Sequence, residues 1–220
     1  MRLSVIIPTL DAAARLPATL AALDGAPCEV IVADAGSTDG TAELAGRLGA
    51  RVVQAPRGRG VQVAAGVAAA RGEWLLLLHA DTRLDPAWPA AVQSVMARHP
   101  DRAAYFRFVL DSSDPRARRL ERVVAWRCRV WALPYGDQGL LISRRLLAAV
   151  GGVRPLPLME DVDLVRRIGR PRLIGLDVPA VTSAERWQRD GWYRRSARNL
   201  CCLALYRAGL PLHLVARLYA

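Results

Sequence analysis

Short β-branched runs alternate with helical stretches through the first hundred residues, and this alternation constrains the fold more than any other feature. The runs predict four strands, at residues 3–7, 29–33, 51–54 and 74–78. The stretches between them predict helices at residues 12–23 and 61–70. Strands and helices that alternate at this spacing form βαβ units. We therefore predict an α/β protein with a mostly parallel central sheet flanked by helices.

Polar residues lie where the predicted strands end and the chain turns into the next helix. In open α/β sheets, ligands bind beyond the carboxyl ends of the strands. The polar segments are residues 8–11, 34–41, 58–60 and 79–82. We expect these segments to meet at one edge of the sheet and to form the binding site.

Three acidic positions have both a functional and a structural interpretation. Asp34 can accept hydrogen bonds from a base or a ribose hydroxyl, while the residues after it cap the next helix. Asp81 follows a strand of four leucines and can either bind a divalent cation or only form a turn. Glu160, Asp161 and Asp163 can supply a general base or stabilise a helix start through its dipole, and metal binding by this cluster is the weakest interpretation.

The pattern is less regular after residue 100. It predicts a strand over residues 104–110, an amphipathic helix over 115–131, a strand at 140–143 and a helix that begins near residue 159. Residues 199–220 form an apolar and amphipathic tail, which we expect to pack on the protein or lie at an interface rather than span a membrane.

The charge is uneven along the chain. The net charge is +11, every basic residue is arginine, and the whole excess follows residue 100. Without lysine, Schiff-base chemistry and a lysine-dependent phosphate loop are excluded. The basic half, with interleaved tryptophans, fits an anionic membrane surface or a solvated face. Nucleic-acid binding is the weaker interpretation, because the acidic strand ends would repel a phosphate backbone.

The cysteines and the N-terminus predict a compartment. Cys28, Cys128, Cys201 and Cys202 have neither metal-ligand spacing nor a disulfide pattern, which is typical of a reducing environment. Residues 1–10 do not have the pattern of a signal peptide, and no apolar run is long enough for a membrane span. We expect a cytoplasmic protein, either free or peripheral at the cytoplasmic face of the plasma membrane.

The ordered motifs resemble those of family 2 glycosyltransferases, the inverting enzymes of the A-type nucleotide-diphospho-sugar transferase fold. The resemblance covers residues 3 to about 190 and rests on Ser4–Asp11, Asp34–Thr41, Ala69–Glu73, His79–Thr82, Gly151–Gly152 and Glu160–Leu164. It is greatest for a small bacterial branch that carries His-Ala-Asp-Thr and Gly-Asp-Gln-Gly and includes proteins named as carotenoid glycosyltransferases. The resemblance implies that the 220 residues form one domain. Residues 1–100 would bind the nucleotide sugar, and residues 101–198 would bind the acceptor.

The resemblance also implies roles for single residues. Asp161 would be the catalytic base, and Asp81 would hold Mg²⁺ or Mn²⁺ on the donor diphosphate. The other residues assigned to the donor are Pro8, Thr9, Asp11, Asp34 and Arg59. The residues assigned to the acceptor side are Gln138, Glu160, Arg186 and Trp187.

The implied activity is transfer of a hexose from a nucleotide-diphosphate sugar, with UDP as the expected nucleotide, to a hydroxyl or carboxyl acceptor. Lipids and carotenoids are among the acceptors that fit. A sugar-phosphate nucleotidyltransferase is the alternative enzyme class. Three positions depart from the family pattern: His79 replaces the first carboxylate of Asp-x-Asp, Ala35 replaces an aspartate, and Ser183 replaces a glutamine.

Overall fold

The computed structural model describes residues 2–219, apart from the side chains of residues 213, 216, 217 and 219. Its strands form a single eight-stranded sheet in the order β3-β2-β1-β4-β7-β6-β8-β5. The strands are β1 (Leu3–Thr9), β2 (Cys28–Asp34), β3 (Arg51–Gln54), β4 (Trp74–Leu77), β5 (Thr82–Leu84), β6 (Ala103–Asp111), β7 (Leu140–Ser143) and β8 (Leu173–Ser183).

Helices cover both faces of the sheet. They are α1 (Leu16–Ala21), α2 (Thr41–Arg47), α3 (Arg59–Ala69), α4 (Trp88–Arg98), α5 (Pro115–Trp131), α6 (Arg144–Ala149), α7 (Glu160–Ile168), α8 (Glu185–Asp190), α9 (Trp192–Arg207) and α10 (Leu212–Tyr219). Short 3-10 helices lie at Gly136–Gln138 and Arg170–Arg172. The predicted α/β class, with a central sheet between helices, is confirmed.

The strand directions explain how the chain builds one binding edge. Strands β1 to β4 are parallel to each neighbour within this group, as predicted. Strand β7 instead runs antiparallel between β4 and β6, with Leu140 opposite Leu77. The residues just before β7 therefore lie at the same sheet edge as the residues just after β4.

The core is split between the two faces because successive strand residues point to opposite sides. On one face, Val5 and Ile7 pack with Leu16 of α1 and Trp88 of α4. On the other face, Ile6 packs in a second cluster with side chains of α6, α7 and α9. A third cluster, which includes Phe108, lies under α5 and α8. Burial on both faces matches the apolar composition of β1 and β4.

Sequence reasoning did not predict β5, β8 or α4. Strand β8 contains Gly175, Asp177 and Pro179, which are uncommon in strands, and its pairing with β6 shifts register between Tyr105 and Arg107. The first helix is shorter than predicted and begins only at Leu16, with a proline in its first turn. In contrast, α5 has the predicted bounds. Among residues 2–219, no helix is both long enough and apolar enough to cross a bilayer.

Helix α3 lies very close to the sheet because a glycine faces β1. A Cβ at Gly66 would lie 2.4 Å from Cγ2 of the fully buried Ile6. Near the N-terminus of α3, a Cβ at Gly60 would lie 2.5 Å from the carbonyl oxygen of Arg154. These two glycines set the distance of α3 from the sheet and from the loop before α7.

We expect Gly66→Ala to destabilise the fold by about 1–3 kcal/mol, because the added methyl group overpacks the core against Ile6. Gly46→Ala in α2 is the matched control, since a Cβ there meets nothing within 4 Å. That control should be neutral or stabilise by up to about 1 kcal/mol through helix propensity. Urea unfolding of both variants measures the difference. Equal effects of the two substitutions would contradict the close approach of α3.

Candidate active site

A cleft lies at the carboxyl ends of β1, β2 and β4, as the strand-end residues predicted. Its volume is about 370 Å³. It adjoins a smaller cavity of about 90 Å³, which extends towards β7 and α8. Arg59, His79, Asp81 and Arg186 line both spaces. The structure thus joins residues from the neutral half and the basic half of the chain in one site.

A hydrogen-bond network joins the ends of β1 and β2. Thr9 Oγ1 donates to Oδ1 of Asp34 at 2.9 Å, and the amides of Gly36 and Ser37 donate to Oδ2 at 3.0 and 2.9 Å. Burial alone would raise the pKa of Asp34, but hydrogen bonds from Ser37, Thr9 and Gly36 outweigh it and lower the pKa. Asp34 is therefore an ionised carboxylate whose oxygens are already used within the protein.

The loop after β2 is also tied to the loop after β1. Asp11 Oδ1 accepts from the Thr38 amide at 2.9 Å, and the Asp11 amide donates to Ser37 Oγ at 2.9 Å. Pro8, Thr9 and Asp11 line the cleft, whereas the Asp34 carboxylate lies behind Thr9 and is 1 % exposed. The predicted donor residues therefore lie together, with Asp34 placed to support the others.

Gln62 of α3 completes this end of the cleft, and sequence reasoning missed it. Its Nε2 donates to the carbonyl oxygens of Thr9 and Ala33 at 2.7 and 3.0 Å. The side chain thereby fixes α3 to the ends of β1 and β2. No sequence signal identified Gln62, since a buried glutamine within a helix is recognised only when its partners are known.

Arg59 and Glu160 face each other across the cleft. Arg59 begins α3, and its Nε lies 3.6 Å from Oε1 of Glu160, the first residue of α7. Burial raises the pKa of Glu160 to about 7, and the nearby charge of Asp161 adds to the effect, while Arg59 opposes it. The carboxyl group of Glu160 is therefore partly protonated at neutral pH.

Asp81 lies between the cleft and the smaller cavity. Its backbone carbonyl accepts from the Ser183 amide at 3.1 Å, which fixes the turn between β4 and β5 to the end of β8. Within the described part of the chain, the Asp81 carboxylate has no hydrogen-bond donor. His79, two residues earlier, has a pKa well below its usual value because it is desolvated and lies near Arg59 and Arg186. It is therefore a neutral imidazole.

Asp161 is the second residue of α7 and is held by the turn before β7. The Gly136 amide donates to its Oδ2 at 2.7 Å, and the Val162 amide donates to Oδ1 at 2.7 Å. A Cβ at Gly136 would lie 2.5 Å from Nε2 of His79, so only glycine allows this turn to approach. The carboxylate lines the smaller cavity beside Asp81.

The other acid of the predicted cluster has a structural role. Asp163 is buried and accepts from Arg154 Nη1 at 3.0 Å and from Arg167 Nε at 2.9 Å. The three acids of α7 thus point to different partners. Only Asp161 and Glu160 face the cavities at the sheet edge.

The predicted acceptor residues are only partly brought together. Arg186 and Trp187 of α8 line the smaller cavity, where Trp187 stacks edge-on against Phe108 with ring centroids 6.2 Å apart. Gln138, in contrast, is buried outside both cavities. Its Nε2 donates to the Phe106 carbonyl at 3.0 Å, and its Oε1 accepts from the Tyr135 amide at 3.3 Å. In this arrangement its amide joins β6 to the turn before β7.

Asp137 is the main cavity residue that sequence reasoning missed. It lies in the turn before β7 and lines the smaller cavity with Asp81 and Asp161. Burial raises its pKa to about 6, Arg127 acts in the opposite direction, and the charges of Asp161 and Asp81 raise it further. The Gly-Asp-Gln-Gly run marked this turn. Its placement beside Asp81 depends on the antiparallel direction of β7.

The comparison with protein families decides the family to which this chain belongs. The model for glycosyl transferase family 2 matches residues 4–151, which is more than half of the chain. This protein is a family 2 glycosyltransferase. The family membership favours glycosyl transfer over nucleotidyl transfer and nucleic-acid binding, the two alternatives that the sequence left open.

Two sequence relatives of this family 2 glycosyltransferase come from Mycobacterium tuberculosis. An uncharacterised glycosyltransferase of Mycobacterium tuberculosis is 43% identical over 83 residues, covering 37% of this chain and 38% of the relative. A PGL/p-HBAD biosynthesis glycosyltransferase from the same species is 42% identical over 91 residues, covering 37% of this chain and 36% of the relative. The matches thus span less than two fifths of these relatives.

Solved structures share the A-type glycosyltransferase fold. Glucosyl-3-phosphoglycerate synthase of M. tuberculosis, in complex with Mn²⁺, UDP and glucosyl-3-phosphoglycerate, has a TM-score of 0.66 at 19% identity. The match covers 96% of this chain and 81% of the synthase. A mannosyltransferase of Pyrobaculum calidifontis, in complex with GDP-mannose and Mn²⁺, has a TM-score of 0.71 at 20% identity, covering 99% and 69%. At these identities the likeness shows the fold.

The raised pKa of Glu160 makes stability depend on pH. Below about pH 4.5 the carboxyl is protonated in both folded and unfolded chains, so it has no effect. As pH rises to about 7, the unfolded chain ionises first and the folded state loses relative stability. Glu160→Gln removes this effect, so we expect it to stabilise the protein by about 2–3 kcal/mol at pH 8 and much less at pH 5.

Urea unfolding at both pH values measures this change. Glu73→Gln, which alters an exposed glutamate in a loop, is the control and should show no such difference. A stability gain of Glu160→Gln that is the same at pH 5 and pH 8 would show that Glu160 ionises normally in the folded protein.

Proposed function

We propose that this protein transfers a hexose, with inversion, from a UDP-sugar to a hydroxyl or carboxyl acceptor. The observation that carries the proposal is the shared cavity of Asp81, Arg59, Arg186 and Asp161 at the carboxyl ends of the parallel strands. Such an edge is where α/β sheets bind nucleotides. The two solved structures described above hold a nucleoside diphosphate or a nucleotide sugar together with Mn²⁺.

The donor would lie in the larger cleft. Pro8, Thr9 and Asp11 would contact the nucleoside, while Asp34 fixes Thr9 in place. The guanidinium groups of Arg59 and Arg186 would neutralise charge on the diphosphate as it leaves. Arginine suits this task because its planar donors match phosphate oxygens and its charge is permanent.

The residues at the centre of the cleft fit a divalent cation. Asp81 offers a carboxylate without a donor in the described residues, and hard cations such as Mg²⁺ and Mn²⁺ bind oxygen ligands. No group of three or more histidine, cysteine or acidic side chains close enough to enclose a metal occurs among the described residues. The donor diphosphate and water would therefore supply the remaining ligands. When bound, the cation would stabilise the negative charge of the leaving diphosphate.

Asp161 would act as the base from the other side of the sugar. The acceptor oxygen forms a bond to the anomeric carbon as the bond to the diphosphate oxygen breaks, and the electron pair leaves with the diphosphate. Asp161 takes the acceptor proton. Its hydrogen bond from the Gly136 amide orients the carboxylate towards the cavity.

We expect Asp161→Asn to lower kcat by about 10²–10⁴-fold, since it removes the base but keeps an oxygen that accepts from Gly136. Asp81→Asn should also lower the rate and weaken its response to Mn²⁺. Release of nucleoside diphosphate, measured with a panel of UDP- and GDP-sugars, tests both variants. Asp101→Asn at an exposed turn is the control. Wild-type rates in both site variants would refute the assignment.

We further propose that α5 binds an anionic membrane surface. Its outer face carries Arg119, Arg122, Val123, Trp126 and Arg129 at helical spacing, and all five are exposed. The opposite face packs into the third core cluster. The rings of Trp126 and Trp131 pack edge-on with their centroids 5.1 Å apart, and both side chains are about half exposed. Arginines beside exposed tryptophans favour the boundary between anionic lipid headgroups and acyl chains. This surface fits a lipid acceptor and a peripheral location.

Co-sedimentation with vesicles tests this surface. Arg122→Gln/Arg129→Gln should weaken binding to phosphatidylglycerol vesicles by on the order of 30-fold, from about 1 kcal/mol per arginine. Arg47→Gln/Arg98→Gln removes the same charge from exposed sites on other helices and should bind like the wild type. If both double variants lost vesicle affinity equally, binding would depend on net charge alone and not on the face of α5.

A further inference from the structure

One oxygen of the Asp137 carboxylate is buried without a hydrogen-bond partner. This oxygen, Oδ1, is excluded from solvent, and no donor in the described residues reaches it. The cation that lowers the pKa of Asp137 most, Arg127, is already engaged: its Nε donates to the Leu133 carbonyl at 2.9 Å, and its guanidinium lies 3.4 Å from the Tyr135 ring centre. A buried carboxylate is costly unless a cation or a donor meets it. The structure therefore leaves room for a ligand at Asp137.

A chain of hydrogen bonds fixes Asp137 beside Asp81. The Asp137 carbonyl accepts from Thr182 Oγ1 at 3.1 Å, and Thr182 Oγ1 lies 2.7 Å from Oγ1 of Thr82, the residue after Asp81. On the other side, the amide of Gly136 is held by Asp161. Because β7 is antiparallel to β4, both carboxylates lie at one sheet edge, and both line the same cavity.

The position of Asp137 also compensates for the carboxylate that the Asp-x-Asp motif lacks in this sequence. His79 stands where the Asp-x-Asp pattern has its first carboxylate, so the turn after β4 supplies only Asp81. Asp137 brings a second carboxylate from the neighbouring strand into the same cavity. Two unpartnered carboxylates that face one space form a ligand pair for a hard divalent cation, which typically takes one or two carboxylates together with phosphate oxygens and water.

We propose that Asp137 and Asp81 together bind the divalent cation of this enzyme. The inference rests on the proposed function, in which a cation joins the donor diphosphate to the protein. It assigns the missing carboxylate to the turn before β7 rather than to the turn after β4. An acceptor hydroxyl that donates to Asp137 is the competing occupant.

Metal binding, measured without turnover, separates these cases. In the presence of UDP, we expect Asp137→Asn and Asp81→Asn each to weaken Mn²⁺ binding by at least about tenfold. Loss of a residue that only supports a metal ligand typically costs this much, and loss of a ligand should cost no less. Electron paramagnetic resonance of free Mn²⁺ gives the affinities, and Asp101→Asn should match the wild type. Asp137→Asn keeps the size of the side chain and removes a buried charge, so its melting temperature without metal should not fall.

The outcomes distinguish this inference from the proposed function. If Asp81→Asn loses Mn²⁺ affinity and Asp137→Asn keeps it, Asp137 is not a ligand, although the proposed transfer reaction stands. Loss of acceptor affinity alone in Asp137→Asn would likewise overturn the inference. If the wild type binds neither UDP nor Mn²⁺, both proposals fail. Anomalous diffraction from wild-type crystals soaked with Mn²⁺ and UDP gives a test without any variant: the metal should lie within coordination distance of both carboxylates.

Discussion

The antiparallel insertion of β7 between β4 and β6 is the constraint on which the rest of the site depends. A parallel β7 would place Gly136–Gln138 at the opposite edge of the sheet, away from Asp81. In the observed order, the turn before β7 meets the turn after β4, and the Gly136 amide reaches Asp161 at 2.7 Å. One strand direction thus brings Asp137 next to Asp81, the proposed cation ligand, and Asp161, the proposed base.

Close backbone contacts keep this arrangement rigid. Gly136 leaves no space for a Cβ against His79, and Gly60 leaves none against the loop before α7. Gln62 fixes α3 to β1 and β2 through backbone carbonyls. Each contact involves a backbone segment on at least one side, so a change there would shift the chain and not only the end of a side chain. The cleft is therefore formed by the fold itself, as electrostatic catalysis requires.

The arginine excess serves more than one purpose. Arg144 donates to the carbonyls of Val67, Ala70 and Gly72 and so caps the C-terminus of α3, where a cation also meets the negative end of the helix dipole. Arg170 donates in the same way to carbonyls at the end of α5. Such arginines are structural, even though they contribute to the net charge. The exposed arginines of α5 are the ones that bear on a membrane surface.

By itself the sequence determined the α/β class, the first four strands, the extent of α5 and the loops that would carry the donor site. These features depend on local signals, namely β-branched runs, helical periodicity and polar residues at strand ends. Only the tertiary structure decided the roles of Asp137, Gln62 and Gln138. Their positions depend on contacts between segments far apart in the chain. A glutamine or an aspartate looks the same in sequence whether it faces a cavity or a carbonyl. The direction of β7 decides this for Asp137 and Gln138, and the packing of α3 on β1 and β2 decides it for Gln62.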